Sequence, residues 1–163
     1  MALTTNKNYL QPTGFKFIVS GEEYQNLQFF AQSVTHPGAN ANPVELPVAR
    51  VTSVPLAGDK ITYSELSLEV ILDEDMKSYK EMQSWLERIV NEGQSNTIGG
   101  AKTQTYSDIT LIILTSHNNN NVEIKYFDCL PTNIGQINMT SNTGDVVYPT
   151  FTVGFRFSSF EIK

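Results

Sequence analysis

Ile61-Thr62-Tyr63-Ser64-Glu65-Leu66-Ser67-Leu68-Glu69-Val70-Ile71-Leu72 is the stretch on which the fold turns. Leu66, Leu68, Val70 and Leu72 fall on one side of an extended chain. Tyr63, Glu65, Ser67, Glu69 and Ile71 fall on the other. That alternation predicts one long strand over Ile61–Leu72 with a single face on a core. The period then changes. Met76, Tyr79, Met82, Leu86, Ile89 and Val90 recur at spacings of three and four. This predicts a helix over 75–92 with one apolar stripe. Asp73-Glu74-Asp75 supplies a capping carboxylate and favourable charge at its start, and Gly93 is placed to end it. The stripe has to cover something apolar, and a sheet face is the available partner.

Upstream, Phe15, Phe17 and Val19 alternate in Phe15–Ser20, a strand. Gly21-Glu22-Glu23 looks like a turn, and Leu27–Val34 returns as a second strand, so a hairpin is expected. Residues 1–12 are polar and are expected to form an arm. The segment 36–60 is different. Pro37, Gly38, Pro43, Pro47, Pro55 and Gly58 break any long helix and most central strands. A long irregular excursion in a small domain is usually functional.

Downstream, strands are expected at Ile109–Thr115, Val122–Cys129, Ile134–Met139 and Tyr148–Ile162. Asn118-Asn119-Asn120-Asn121 suits left-handed turn conformations between the first two. In the last, Phe151, Val153, Phe155 and Phe157 share one side, while Thr150, Thr152, Gly154, Arg156 and Ser158 share the other. The sum is about seven strands and one helix, an α+β but mostly β domain: an antiparallel two-sheet sandwich or partial barrel with one flanking helix.

The chain has 163 residues, enough to bury a core without metal or disulfide support, and 1–163 is expected to be a single domain. Only 17% of its residues are charged, and the formal charge is −6. That balance opposes a surface that grips nucleic acid through phosphates. The longest candidate apolar run, Leu111–Leu114, is far too short to span a bilayer, so no membrane insertion is expected. The first residues lack the apolar core of a signal peptide.

The search for reaction chemistry returns little. His36 and His117 have no partner at metal-ligand spacing and are read as loop histidines. Cys129, the single cysteine, is read as a small buried hydrophobe. In Gly99-Gly100-Ala101-Lys102-Thr103 an alanine interrupts the phosphate-loop pattern, and the segment follows a helix where that motif precedes one. Asp73-Glu74-Asp75 is explained by capping. Glu65 and Glu69 could mimic a glycosidase pair but are more simply strand carboxylates. Asn138-Met139-Thr140 fits a glycosylation sequon, which matters only on a secretory route. No catalytic residue, cofactor or metal is assigned, and the chain is not expected to be an enzyme.

Several segments, in order, resemble the tail tube protein of contractile-tailed, T4-like myovirus bacteriophages. They are Gly14-Phe15-Lys16-Phe17-Ile18-Val19; Pro55-Leu56-Ala57-Gly58-Asp59-Lys60; the strand–helix unit Leu68–Trp85 with Asp73-Glu74 at its junction; Ile98-Gly99-Gly100-Ala101-Lys102; and Leu130-Pro131-Thr132-Asn133-Ile134-Gly135 ahead of a terminal aromatic strand. The last is the most specific, and the likeness covers nearly the whole chain. It departs from the family in the asparagine run and the polar arm.

The resemblance implies a structural protein without an active site. Six copies would close into rings that stack into a tube, with strands from each copy lining the lumen. The implied partners are the tail sheath protein, baseplate tube-initiating proteins, a tape-measure protein and a tail terminator. DNA would pass through the lumen without specific binding. The place would be the virion tail, assembled in the host cytoplasm. Tubes of type VI secretion or other contractile injection systems share the implied fold, and a carbohydrate-binding β-sandwich remains a remote alternative. Within this frame Val44, Leu46, Val48 and Val54 are expected to anchor contacts of the 36–60 loop between subunits or rings. The helix is expected to flank the sheet on the outside. Glu65, Ser67 and Glu69 are candidates for the lumen wall. A rival placement puts the two glutamates outside or at a seam, paired with Lys60, Lys125 or Arg156.

Overall fold

A computed structural model describes residues 10, 12–21, 24–47, 53–94, 106–141 and 148–163. In chain order its elements are β1 (Phe15–Val19), α1 (Gln25–Phe29), β2 (Ala31–Thr35), β3 (Ala39–Ala41), β4 (Val44–Pro47), β5 (Ser53–Leu56), β6 (Ile61–Tyr63), β7 (Leu66–Ile71), α2 (Lys77–Gln94), β8 (Ser107–Leu114), β9 (Asn120–Ile134), β10 (Thr150–Arg156) and β11 (Ser159–Ile162).

The decisive alternation holds in β7, where Leu66, Leu68 and Val70 are fully buried. β7 lies between β10 and β2, antiparallel to both. A second set of ladders joins β1 to β8, β8 to β9 and β9 to β11. The two sets meet in β9, whose first part pairs with β8 and β11 and whose end pairs with β10. The strand changes partners through two irregularities. Asp128 stands at φ 53 where the β8 ladder slips. Thr132 is the extra residue where the β10 ladder slips, since Gly154 faces Asn133 but Phe155 faces Pro131. Bulges of this kind bend a strand and let it serve two sheets. The path is β1-β8-β9-β10-β7-β2 with β11 beside β9, a partial barrel left open between β1 and β2.

Phe17, Val19, Ile109, Leu111, Ile124 and Tyr126 reach the core from one sheet; Leu66, Leu68, Val70, Phe151, Val153 and Phe155 reach it from the other. α2 closes the core with Met82 and Trp85, both fully buried. Trp85 stacks on Tyr24 with ring centroids 4.3 Å apart and lies 5.8 Å from Phe155. Asp73 begins the helix. Its carboxylate accepts the N–H groups of Lys77 and Ser78 at 2.9 and 3.1 Å and the Ser78 hydroxyl at 2.8 Å. Burial works against the charged carboxylate, but these bonds outweigh it and hold the pKa below its ordinary value.

Several expectations are corrected. Leu27–Val34 is not one strand. Its first part is α1, because Glu81 of α2 accepts the Leu27 N–H at 3.1 Å and bonds the Asn26 side chain, a helix-end partner far away in sequence. No hairpin joins it to β1, which pairs with β8. Ile61–Leu72 is interrupted at Ser64-Glu65, since β6 pairs with β3 and only β7 enters the main sheet. Ile134–Met139 is no strand; β9 ends at Ile134. Tyr148–Ile162 splits at Phe157-Ser158, where the Ser158 N–H bonds the Phe127 carbonyl. The helix starts two residues later than expected and runs through Gly93. Its stripe is centred on Met82 and Trp85, while Val90 is exposed and Leu86 is half-buried. Asn118 does adopt the left-handed conformation, at φ 58. The 1–12 arm, apart from Leu10 and Pro12, and the loop around Ile98–Lys102 lie outside the described residues.

Candidate functional site

The segment 36–60 is more regular than its prolines suggest. β3 pairs with β6, and β4 pairs with β5, so the chain leaves the domain and returns as two short ladders in series. Pro55 sits opposite Glu45 in a two-stranded ladder, where a missing N–H on the outer side costs nothing. Gly58 marks the waist, because a Cβ there would run into the backbone carbonyl of Asn42. Val44 faces Leu56 and Leu46 faces Val54. Partners directly opposite share a face, so these four side chains form one apolar surface. All are exposed; Leu46 and Val54 keep 45% and 46% of their surface in solvent. An isolated two-stranded ladder is marginal in water. Val48 lies outside the described residues.

Glu65, Ser67 and Glu69 stand at the edge of β7 and along it, on the face away from the core. The register places Glu69 beside Thr152 and Ser33, and Ser67 beside Gly154 and Thr35. Glu69 accepts a hydrogen bond from the Thr150 hydroxyl at 2.9 Å, and Glu65 accepts one from Thr132 at 3.2 Å. Gly154 makes room for this arrangement: a Cβ there would lie 2.8 Å from the Asn133 amide oxygen and 2.9 Å from the Glu65 carboxylate. The structure therefore brings the three residues together on one hydroxyl-rich face. Lys125, one of the rival partners, instead pairs with Asp108 at 3.2 Å on the other sheet.

This polar-faced sheet has two free edges among the described residues, β2 and the outer side of the β9 end. β2 reads Ala-Gln-Ser-Val-Thr, with neither charge nor proline to guard it. Beside it Phe29, on α1, is 81% exposed and borders an open hollow of about 470 Å³ between α1 and β1. Sequence reading passed over Phe29 and Trp85. The first had no signal, because α1 was taken for strand. The second was available as a helix position three residues beyond Met82.

His36 is not an isolated loop histidine. Its Nδ1 lies 2.6 Å from the hydroxyl of fully buried Tyr126, and its ring meets Phe160 edge-on at 5.2 Å. Cys129 is buried and free, and burial pushes its thiol up to about 12. Among the described residues no group of three or more His, Cys, Asp or Glu could hold a metal ion, and no helix is long and apolar enough to cross a membrane.

The family model described as phage tail tube protein matches residues 2–163. The chain belongs to the phage tail tube protein family. Solved structures carry the same fold at low identity. A chain of the PVC extracellular contractile injection system, from its sheath–tube complex in the extended state, superposes with a TM-score of 0.67 at 11% identity, covering 99% of each chain. A chain from the anti-feeding prophage baseplate gives 0.63 at 10% identity, covering 100% of this chain and 97% of that one. An Hcp protein gives 0.52 at 11%, over 90% and 87%. No curated protein sequence matches. As a tail tube protein, this chain is a structural component of a phage or injection-system particle.

Proposed function

We propose that six copies of this tail tube protein close into a ring through the free edges of the polar-faced sheet, and that rings stack into the inner tube of a contractile phage tail. One observation carries the reading: a sheet whose outward face is hydroxyl-rich and acidic ends, among the described residues, in two unpaired edges. β2 of one copy would pair with the end of β9 in the next, a head-to-tail contact that closes by rotation. The outward face, with Glu65, Ser67 and Glu69, then becomes the lumen wall. A confined channel carrying carboxylates repels phosphates, and DNA passes without the counterion-release attraction of a basic wall. The arm 36–60, with Val44, Leu46, Val48 and Val54, meets other subunits or rings. α2 flanks the sheet from outside, toward a sheath. Baseplate tube-initiating proteins, a tape-measure protein and a tail terminator complete the partners, with assembly in the host cytoplasm before incorporation into the virion.

Negative-stain microscopy and light scattering of the purified chain, with and without tube seeds, test the reading. Rings or tubes support it. A chain that stays monomeric at high concentration even with seeds overturns it. A second reading, the tube of a type VI secretion or other contractile injection system, is favoured by the likeness to the PVC and anti-feeding prophage chains. A lumen that excludes DNA but admits a folded protein would select it.

A further inference from the structure

The arm is mounted on a box of aromatic rings. At one root, β2 ends at Thr35 and His36-Pro37-Gly38 leads into β3. At the other, β6 ends with Tyr63 and the chain turns into β7. Tyr63 packs on Phe157 and Phe160 at 5.4 and 5.3 Å. Tyr126 packs on the same two rings at 5.2 and 5.9 Å. His36 completes the box through Phe160 and the 2.6 Å contact to the Tyr126 hydroxyl. The Ser64 N–H donates to the Gly38 carbonyl at 2.9 Å and ties the two roots together. The arm's apolar ladder is carried beyond this box.

The polarity of the hydrogen bond is set by the His36 tautomer, and the Nε2–H form leaves Nδ1 free to accept. Burial raises the Tyr126 phenol above its ordinary pKa, so it keeps its proton and has one to donate. Nδ1 of a neutral imidazole accepts it, which places the ring's own proton on Nε2. An imidazolium carries protons on both nitrogens and can no longer accept. The phenol oxygen can still accept from the new Nδ1–H, but the proton of the buried hydroxyl loses its acceptor, which carries the cost of an unsatisfied donor. Among the described residues the charged neighbours are already paired. Tyr126 faces His36 from β9, Phe160 from β11, and Tyr63 closes the box from β6. Lys125, next along β9, is paired with Asp108, and Glu161, next along β11, is paired with Lys163 at 3.4 Å. Thr35 and Pro37 flank His36 on its own segment and are uncharged.

We propose that the His36–Tyr126 contact is a pH-dependent latch: neutral His36 holds the arm in its docking orientation, and protonation of His36 releases it. The consequence for assembly rests on the proposed reading that the arm joins copies. The direction follows from burial, which lowers the His36 pKa below the ordinary 6.5. The latch is fully engaged above about 6.5 and is lost as pH falls through the lower latched value. Tube growth is therefore favoured at neutral pH and suppressed in mild acid.

Hydrogen exchange on the unassembled chain tests the latch directly. The protection factor of the Ser64 amide, corrected for intrinsic exchange, should fall between pH 7.5 and 5. The drop is about tenfold for each unit by which the latched pKa lies below the free one. His36→Gln, which keeps a neutral acceptor, should give a flat profile with near-neutral-pH protection. Tyr126→Phe, which keeps the buried ring, should give a flat profile with reduced protection. A wild-type profile that is already flat, or one that Tyr126→Phe leaves unchanged, overturns the latch. Seeded growth followed over the same range separates the two claims. Acid loss of growth that His36→Gln abolishes supports both. Loosening of Ser64 without any change in growth supports the latch and overturns the arm as a joining element.

Discussion

Replacing Leu46 and Val54 together by serine separates assembly from folding. The two side chains face each other on the outer ladder of the arm, and each is nearly half exposed in the single chain. Fully burying a Leu or Val side chain stabilises by about 1.5–3 kcal/mol. Roughly half of that surface is already covered by the ladder, so docking on another copy supplies about 1 kcal/mol from each residue. The double substitution should remove about 2 kcal/mol per added copy. Since 1.4 kcal/mol is a factor of ten, the critical concentration for tube growth should rise roughly 30-fold. The isolated chain should barely respond, because surface changes away from special features fall within about 0.5 kcal/mol. Seeded growth followed by light scattering at a series of concentrations gives the first quantity, and thermal unfolding in dilute solution gives the second. An unchanged critical concentration refutes the arm as an assembly element. A large fall in melting temperature refutes the view that these side chains are held in reserve for another copy.

Gly58→Ala should damage the arm but not the domain, since the added methyl meets only the Asn42 backbone at the waist; growth should fail while near-ultraviolet circular dichroism of the core is kept. Trp85→Ala should cost about 3–5 kcal/mol, the range for buried aromatic truncation, whereas Leu86→Ala, at a half-buried position, should cost less than the roughly 2–5 kcal/mol of a core leucine; denaturant midpoints of the two variants order them. Asp73→Ala should cost about 1 kcal/mol through loss of the helix cap. Because the folded-state pKa of Asp73 is lowered, its contribution is complete above the ordinary 3.8 and is lost as pH falls through the lower folded value. Urea titrations at pH 7 and pH 2.5 should therefore show a smaller wild-type advantage at the second.

What could be read from the residues alone follows the range of the forces involved. β7 and α2 are governed by local alternation, by helical spacing and by a cap four residues from its target, and all three are written in adjacent residues. α1 is governed by Glu81, which lies far along the chain, and no pattern near Leu27 announces it. Strands are expected over Val122–Cys129 and Ile134–Met139, whereas β9 runs unbroken from Asn120 through Pro131 to Ile134. In three dimensions Pro131 sits opposite Phe155 at the bulge that passes the strand from one sheet to the other. The arm was seen only as irregular for a similar reason: prolines that disqualify a central strand are tolerated in a ladder with two open sides. Glu65, Ser67 and Glu69 were legible as one face, since alternation places them there. The hydroxyls of Thr132 and Thr150 that bind the carboxylates were not, because that requires the register between distant strands.

The edges are the reason that the proposed ring closes through one sheet and not the other. An unpaired strand invites association, and monomeric proteins guard against it with charge, proline or brevity. β11 has four residues and carries Glu161, which pairs with Lys163. β1 carries Lys16 as its second residue. β2 carries neither charge nor proline, and the largely exposed Phe29 stands next to it. The acceptor edge at the end of β9 is shaped by Pro131 and by the bulge at Thr132, which limits the registers a partner strand can take. An unguarded donor edge facing a shaped acceptor edge favours head-to-tail addition in one register. In such an arrangement every copy satisfies its β2 edge only by meeting the β9 end of another, so an incomplete ring always leaves one unguarded edge open. Closure removes that edge altogether, which is the same physical reason that barrels outlast open sheets.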